Sequence, residues 1–395
     1  MHLSDLWFIA IAVLWSGYFV LEGFDFGVGI LLPFLSRGDD MSRRVMINTI
    51  GPVWDGNEVW LLTAGGATFA AFPAWYAAMF SAFYLPLLII LVALIIRGVS
   101  FEYRGKRDSD RWRRGWDAAI FLGSLVPALL WGVAFGNIVR GIPLNAAEHF
   151  TGNFLTFLNP YALLGGVTTL ALFTLHGALF LALKTTGELR ERANATASAV
   201  AVVAIVAGAG FLAWTGASYR APASYGGAVS GTGIASVALA ALAAVALIGA
   251  ALANRAGREG VAFTANAVAV VAAVGSLFTA LYPRVLPSTT SPGYSLTTAN
   301  AASAAKTLAI MTVVACIFLP LVLAYQAWTY WVFRKRVGGP SPATFAMPPA
   351  PPGPPAPPGP PAPPGPSAPP GPSAPPGPSA PPGPRAAPGA AGGAR

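Results

Sequence analysis

Residues 75–97 read WYAAMFSAFYLPLLIILVALIIR, and within this stretch Arg97 is the only charged residue. A helix rises about 1.5 Å per residue, so this stretch can cross the hydrocarbon core of a bilayer, which is about 30 Å thick. The whole chain has 395 residues, of which 55% are hydrophobic and 10% charged, and soluble globular domains do not have this composition. Continuous apolar runs favour helices over a closed barrel. The sequence therefore predicts an all-α polytopic membrane protein.

Apolar runs of this kind recur along the chain, and we predict nine transmembrane helices. Pro73 and the interfacial-type residues Trp75 and Tyr76 separate the second run from the third, and merging these two would leave eight helices. The first run is too long for the apolar core of a signal peptide, so we expect it to be kept as a helix. The predicted segments are roughly 7–35, 47–72, 75–97, 117–139, 160–183, 194–215, 230–252, 260–282 and 304–333.

The distribution of basic residues indicates the orientation of the chain in the membrane. With nine helices the loops alternate sides, and 20 of the 24 Lys and Arg residues then fall on one side, in agreement with the positive-inside rule. Merging the second and third segments would place Arg37, Arg43 and Arg44 opposite the most basic loop. We therefore predict an N-terminus outside and a C-terminus in the cytoplasm. The net charge of +9 reflects this topology and does not indicate nucleic-acid binding.

The composition changes abruptly after Arg336. Residues 340–384 repeat the units APPGPP and APPGPS, in which glycine recurs every sixth residue rather than every third as in collagen. Such a segment has no apolar mass to bury. We predict a membrane domain over residues 1–336 and a disordered Pro/Gly/Ala-rich cytoplasmic tail over residues 337–395. The tail is either an extension without function or a docking site for a partner that binds polyproline.

Four acidic side chains fall inside the first two predicted helices. Glu22 and Asp25 are three residues apart, as are Asp55 and Glu58, so each pair shares one helix face. Counted from the loop between the helices, Asp25 and Asp55 lie at similar depth in the cytoplasmic half, roughly 16 and 13 Å from that loop. A charge at the bilayer centre costs about 2.5–3.5 kcal/mol. These acids either conduct protons or, together with Asn57, form polar contacts between helices.

Histidine and cysteine usage gives little support for a redox centre in this chain. Of the three histidines, only His176 lies deep in a predicted helix. A haem with two axial ligands needs a second His or a Met facing the first, and the sequence offers no convincing partner. We predict that His176 is a hydrogen-bonded packing residue, and that the chain has no metal-binding or catalytic residues of its own.

Several stretches resemble subunit II of the cytochrome bd quinol oxidases, in order through residues 7–192 and more weakly through 193–336. This resemblance implies a multi-pass protein of the bacterial inner membrane, folded as two four-helix bundles plus one peripheral helix. It implies a complex that oxidises quinol and reduces oxygen to water, in which a partner, subunit I, carries the b- and d-type haems. Small single-helix subunits accompany some members. The stretches are EGFDFGVGILLPFL, GPVWDGNEVWLLTAGGATFAAFP, GWDAAIFLGSLVPALLWGVAFGN and TGNFLTFLNPYALLGGV.

The resemblance also assigns expected roles to the acids. Asp25 in GFDFG and Asp55 in WDGN match positions linked to a proton route from the cytoplasm to subunit I. Glu22 stands where some relatives have aspartate, so the acid is preserved. Glu58 stands where some have glutamine, which makes it a less secure part of the route.

Two tryptophans near these acids have expected roles as well. Trp60 matches a residue near a proposed hydrophobic oxygen path, and Trp54 matches one near a quinone found in subunit II of some members, so a bound quinone is among the expected ligands. We expect the chain to support assembly with subunit I and to supply protons to it. Two alternatives remain at this stage: a proton-coupled secondary transporter, which would act without haem, and a purely structural scaffold subunit.

Overall fold

The computed structural model describes residues 2–218 and 229–338. Two short strands, β1 (Arg284–Leu286) and β2 (Leu296–Thr297), pair antiparallel in the connection before the last helix. Apart from short 3-10 turns, the other regular elements of the described residues are α-helices. These are α1 (Leu3–Leu35), α2 (Asp40–Ile50), α3 (Trp54–Ala71), α4 (Pro73–Ala82), α5 (Tyr84–Tyr103), α6 (Asp110–Arg140), α7 (Pro160–Lys184), α8 (Gly187–Ser218), α9 (Val229–Arg255), α10 (Glu259–Leu281) and α11 (Ala305–Val332).

Within the described residues, eight helices are long and apolar enough to cross a membrane: α1 and α5 to α11. The predicted all-α membrane class is confirmed, whereas the count of nine is not. The difference lies in α3, which has 18 residues and a length of roughly 27 Å but carries acidic and amide side chains in its first turns. By length it approaches a full crossing, and by composition it falls short of the other eight.

Proline and glycine divide the second and third predicted segments. The second, residues 47–72, is broken at Gly51 and Pro52 into the end of α2 and the whole of α3. Pro73 then occupies the first turn of α4, where a missing backbone donor is harmless, and the predicted boundary at this proline is present. A second break at Phe83, which the sequence analysis did not predict, separates α4 from α5.

The long helices pack in two neighbouring groups. The first contains α1, α3, α5 and α6, in which α1 packs on α3 and α6, and α5 packs on α6. The second contains α7, α8, α9 and α10, and the two groups meet where α1 packs on α7 and α10 and where α6 packs on α7. Glycines permit the closest crossing, since a Cβ added at Gly27 would lie 2.0 Å from the carbonyl oxygen of Phe173 in α7. Close packing of this kind surrounds the part of α1 that carries Glu22 and Asp25, and both acids are buried.

The last helix, α11, lies at the edge of this assembly. Leu308 is its only buried residue, and the helix contacts α1 and α3. Near its start, the Trp7 indole nitrogen donates to the carbonyl oxygen of Leu308 at 3.2 Å and to the Thr312 hydroxyl at 3.0 Å. This placement agrees with the expected peripheral helix. The predicted disordered tail, residues 337–395, lies outside the described residues except for its first two positions.

Candidate functional site: a buried acid–arginine cluster

Two acids on α1 occupy the interior of the first helix group. Glu22 and Asp25 are both fully buried, and Glu22 forms an ion pair with Arg97 of α5, which is fully buried too. The Arg97 guanidinium also lies against two aromatic rings, 4.9 Å from the centroid of Phe26 and 5.5 Å from that of Phe101. A buried ion pair loses the hydration of both charges, so its partners must stay together for either to be tolerated.

The position of Arg97 differs from the prediction, in which the third segment ended at this residue and Arg97 counted among the basic residues on the cytoplasmic side. Because α5 continues to Tyr103, Arg97 lies nearly two turns inside the helix. The physical reason is electrostatic: Glu22 needs a cation at its own depth, and Arg97 provides it. The sequence contained a signal for this, since the apolar residues Val99 and Phe101 follow Arg97 and extend the hydrophobic run.

Asp25 is held by an amide network that joins three helices. Its Oδ2 accepts a hydrogen bond from Asn57 Nδ2 of α3 at 2.7 Å. The Asn57 Oδ1 in turn accepts from the Tyr330 hydroxyl of α11 at 2.7 Å and from Gln326 Nε2 at 3.1 Å. The Trp60 indole nitrogen closes the network by donating to Gln326 Oε1 at 3.0 Å. The peripheral helix is thus tied to the buried acid through Asn57.

The cluster is incompletely paired. One oxygen of Glu22 (Oε2), one of Asp25 (Oδ1) and two nitrogens of Arg97 (Nε and Nη2) are buried with no hydrogen-bond partner among the described residues. Leaving such atoms unpaired costs about 1–3 kcal/mol each. A carboxyl that takes up a proton changes from acceptor to donor, so these atoms have spare hydrogen-bonding capacity at the centre of the site.

The other two predicted acids lie farther out. Asp55, in the first turn of α3, is exposed on the surface of this chain, and Glu58 is half-buried. Glu58 lies within electrostatic range of Arg97 and of Asp55. The structure thus joins Asp25 to Asn57 rather than to Asp55, although Asp55 and Asn57 belong to the same short motif. Exposure decreases from Asp55 through Glu58 to the buried pair on α1.

The two predicted tryptophans pack near the cluster. Trp54 packs on Phe101 with ring centroids 5.1 Å apart, and Trp60 covers Gly17, where an added Cβ would lie 2.3 Å from its ring. An apolar cleft of about 490 Å³ opens between α3, α4, α5 and α6. Its lining includes Gly65, Gly66, Phe69, Tyr76, Phe83 and Trp131.

His176 is buried in the second helix group, and both ring nitrogens have protein partners. Its Nε2 lies 3.1 Å from the carbonyl oxygen of Val20, and its Nδ1 lies 3.0 Å from Asn266 Nδ2. These contacts fit a neutral ring that donates through Nε2 and accepts at Nδ1. The ring also stacks on Phe263 at 4.4 Å between centroids. Iron binding at either nitrogen would have to break one of these bonds, as expected for a packing residue.

Gln326 and Tyr330 were not predicted as members of the site. Their stretch, AYQAWTYWV, is rich in the aromatic residues that are typical of the membrane interface. The available signal was Gln326 itself, because a lone amide in an otherwise apolar segment needs a partner on a neighbouring helix. The helix that provides this partner is determined by the packing of α11, and the spacing of residues along the sequence does not reveal it.

These features define a polytopic helical membrane protein with a buried acid–arginine cluster in its interior. Within residues 2–218 and 229–338, no group of three His, Cys, Asp or Glu side chains is placed to hold a metal ion. The family model for cytochrome bd terminal oxidase subunit II matches residues 3–333, and the chain belongs to this family. It is therefore a subunit of a terminal oxidase complex, which confirms the resemblance seen in the sequence.

Named relatives agree with this assignment. The chain is 43% identical over 343 residues to cytochrome bd ubiquinol oxidase subunit 2 of Bacillus subtilis, covering 87% of this chain and 99% of that relative. It is 39% identical over 361 residues to cytochrome bd-I ubiquinol oxidase subunit 2 of Escherichia coli K12, covering 85% and 95%. A bd oxidase structure from Geobacillus thermodenitrificans matches with a TM-score of 0.66 at 17% identity, over 85% of this chain and 100% of that one. This structural match supports the fold.

Proposed function

We propose that this chain is subunit II of a quinol oxidase in the bacterial inner membrane, with its N-terminus outside and its tail in the cytoplasm. The complex oxidises quinol, reduces oxygen to water and contributes to the proton motive force, and its b- and d-type haems reside in subunit I. Support comes from the family and from relatives that are named ubiquinol oxidase subunits. The same resemblance supports small single-helix subunits as further partners.

Within this complex, we infer that the acids supply protons to the partner. The observation that carries this proposal is the charge of the buried cluster: Glu22 and Asp25 are two carboxyls, and Arg97 is one cation. With both acids ionised, the buried group carries an excess negative charge, and uptake of one proton neutralises it. A site that is neutral with a proton and charged without one can accept and release protons as the enzyme turns over.

The graded exposure of the acids suggests an entry path. Asp55 is exposed, Glu58 is half-buried, and Glu22 and Asp25 are fully buried. Protons from the cytoplasm would bind first at Asp55 and pass inward by way of Glu58. Asn57 does not titrate in this path, and its role is to hold Asp25 in position against α3 and α11.

The apolar features beside this path support a second role in ligand access. The cleft between α3, α4, α5 and α6 has the size and aromatic lining that suit an isoprenoid tail or a small apolar molecule. Trp60 precedes Leu61 in the lining of this cleft and donates to Gln326, and Trp54 packs on Phe101, whose ring contacts Arg97. We propose that oxygen passes, or a quinone binds, on this face.

The scaffold alternative rests on Asn57 of α3, whose side chain bonds to α1 and α11 and could be purely structural. Co-purification of the chain with a haem-bearing partner, followed by an optical spectrum, tests the complex. Asp55→Asn then tests the route, because asparagine keeps the shape but cannot release a proton. We expect normal haem content and a fall of at least about tenfold in quinol-driven oxygen consumption, equivalent to roughly 1.4 kcal/mol in barrier.

The conservative change Asp55→Glu is the matched control, and it should retain more activity because it keeps a titratable group. Wild-type turnover in Asp55→Asn would remove Asp55 from the route. A parallel fall of haem content and activity would instead show that the acid acts in assembly, as the scaffold alternative requires.

A further inference from the structure

The turn between α5 and α6 forms an open cleft that plays no part in the proposed proton route. Its volume is about 510 Å³. It lies at the N-terminal end of α6, where α5 leaves the membrane and α6 enters it. This is the side of the membrane that holds most of the basic residues. Its lining includes Arg107, Ser109, Arg111, Trp112, Trp116 and Ala119.

The two arginines of the cleft keep their hydrogen-bond donors available. Arg107 and Arg111 are exposed, and no described carboxylate forms an ion pair with either of them. Arg107 instead lies over the ring of Trp112, 4.5 Å from its centroid. The nearby acids Asp108 and Asp110 are already paired with Arg113, which points to an anion as the missing partner of the cleft.

The cleft continues into the membrane as an apolar face of α6. Trp112, Trp116 and Ala119 follow each other at helical spacing, and Leu122, which is 54% exposed, extends the same side of the helix. The Trp112 indole nitrogen donates to the carbonyl oxygen of Tyr103 at 2.8 Å, which fixes the ring at the turn. Tryptophan is enriched where membrane and water meet. A cationic rim thus adjoins an aromatic wall and an exposed apolar strip.

We propose that this cleft binds an anionic phospholipid. Arg107 and Arg111 donate to the oxygens of the phosphodiester, for which guanidinium groups are well suited. The indole rings pack against the glycerol region, and an acyl chain follows α6 past Ala119 and Leu122. Basic pockets between helices on the cytoplasmic side bind such headgroups in other membrane proteins.

The preference for a net-negative lipid follows from the lining of the cleft. A zwitterionic lipid carries an ammonium group beside its phosphate, and none of the described residues that line the cleft offers a carboxylate to receive it. The two arginines would also repel that group. This inference depends on the membrane placement of the chain and is independent of the proposed proton route.

The test uses the purified oxidase complex in lipid nanodiscs that contain a photoactivatable acyl-chain probe. Phosphatidylglycerol and phosphatidylcholine versions of the probe are compared, and the labelled peptides are identified by mass spectrometry. We expect phosphatidylglycerol to label residues 112–122 at least about tenfold more strongly than phosphatidylcholine, and the double variant Arg107→Gln/Arg111→Gln to lose this labelling. Excess inorganic phosphate should leave most of it in place, because the acyl chain contributes to binding.

The matched control is Arg255→Gln/Arg258→Gln, which removes two exposed arginines from the α9–α10 turn on the same side. It should leave labelling of residues 112–122 unchanged, and the haem spectrum reports whether each variant complex is assembled. If the double variant fails to assemble, the two single variants are measured instead, and each should reduce labelling. Equal labelling by both lipids, no labelling of this segment, or retained labelling without the arginines would overturn the proposal. Complete displacement by inorganic phosphate would make the cleft a site for free anions and also overturn it.

Discussion

Two arginine clusters lie roughly 10 Å apart along α5, and they differ in how completely their polar atoms are paired. In the outer cluster, Arg104 donates through Nε to Asp117 at 2.5 Å and through Nη2 to Asp40 at 2.5 Å. In the inner cluster, Arg97 pairs with Glu22, and buried polar atoms of both side chains have no partner among the described residues.

The difference separates a structural contact from a site with chemical capacity. The outer cluster ties α2 to α5 and α6, and the side chain of Asp40 is 38% exposed, so water can solvate whatever the protein does not pair. Water does not reach the inner cluster in the same way on this chain, because Glu22, Asp25 and Arg97 are fully buried. We therefore propose that the same residue types serve packing at the membrane edge and hold a proton inside the membrane.

The largest expected effect comes from Arg97→Gln. Removing one partner of a buried ion pair leaves an uncompensated charge and destabilises by about 3–5 kcal/mol. We expect the complex to be recovered with little haem and a clearly lowered thermal stability. Arg104→Gln should cost only about 1–3 kcal/mol, since one of its two acids, Asp40, borders water. A greater loss of stability in Arg104→Gln than in Arg97→Gln would contradict the comparison.

The double variant Arg97→Gln/Glu22→Gln sharpens this prediction. It removes both charges of the inner pair and replaces them with amides that can bond to each other. Recovery of part of the lost stability and haem content is expected, because the penalty arises mainly from the charge that is left alone. Destabilisation equal to the sum of the two single variants would show that the pair is not coupled.

A smaller effect is expected from Tyr330→Phe. This change removes one of the two hydrogen bonds that Asn57 Oδ1 accepts, worth about 0.5–1.5 kcal/mol. Asp25 should then be positioned less well, so that steady-state oxygen consumption falls by about threefold in a complex with normal haem content. Tyr325→Phe, on the same helix at a residue that is 68% exposed, is the matched control. Equal turnover in both variants would show that the hydrogen bond from Tyr330 of α11 does not affect the function of Asp25.

The smallest effect is expected from deleting residues 340–395. This segment follows the last predicted membrane helix and lacks apolar mass, so neither arginine cluster depends on it. Oxygen consumption and haem content of the complex should stay close to wild type. Failed assembly would show that the proline-rich tail docks an essential partner.

Helix positions could be predicted from the sequence wherever hydropathy decides them. The runs that became α7, α10 and α11 were found to within one residue at each end, because an apolar stretch of that length has few alternatives in a membrane. The division of the second and third segments was harder to predict. Pro73 gave a clear signal, and Pro86 was an overlooked signal for the break at Phe83, because a proline cannot donate to the carbonyl four residues earlier, here that of Ala82.

The candidate site could be predicted only in part, for a different reason. An acid within an apolar run attracts attention, and Glu22 and Asp25 were found in this way. A basic residue at the end of a run fits the positive-inside rule equally well, so Arg97 was counted among the basic residues on the cytoplasmic side. Only the packing of α5 against α1 shows that it lies opposite Glu22. Likewise, Asn57 rather than Asp55 meets Asp25, because the two residues face different sides of α3.

The most direct test of the account compares Asp25→Asn with Asp117→Asn in the purified complex. Both changes replace an acid that contacts another side chain, one in the inner cluster and one in the outer cluster. We predict that Asp25→Asn retains full haem content while quinol-driven oxygen consumption falls at least about tenfold. Asp117→Asn should remain within about twofold of wild type. Wild-type turnover in Asp25→Asn, or a loss of turnover that merely follows a loss of haem, would contradict the central claim that the buried cluster carries protons.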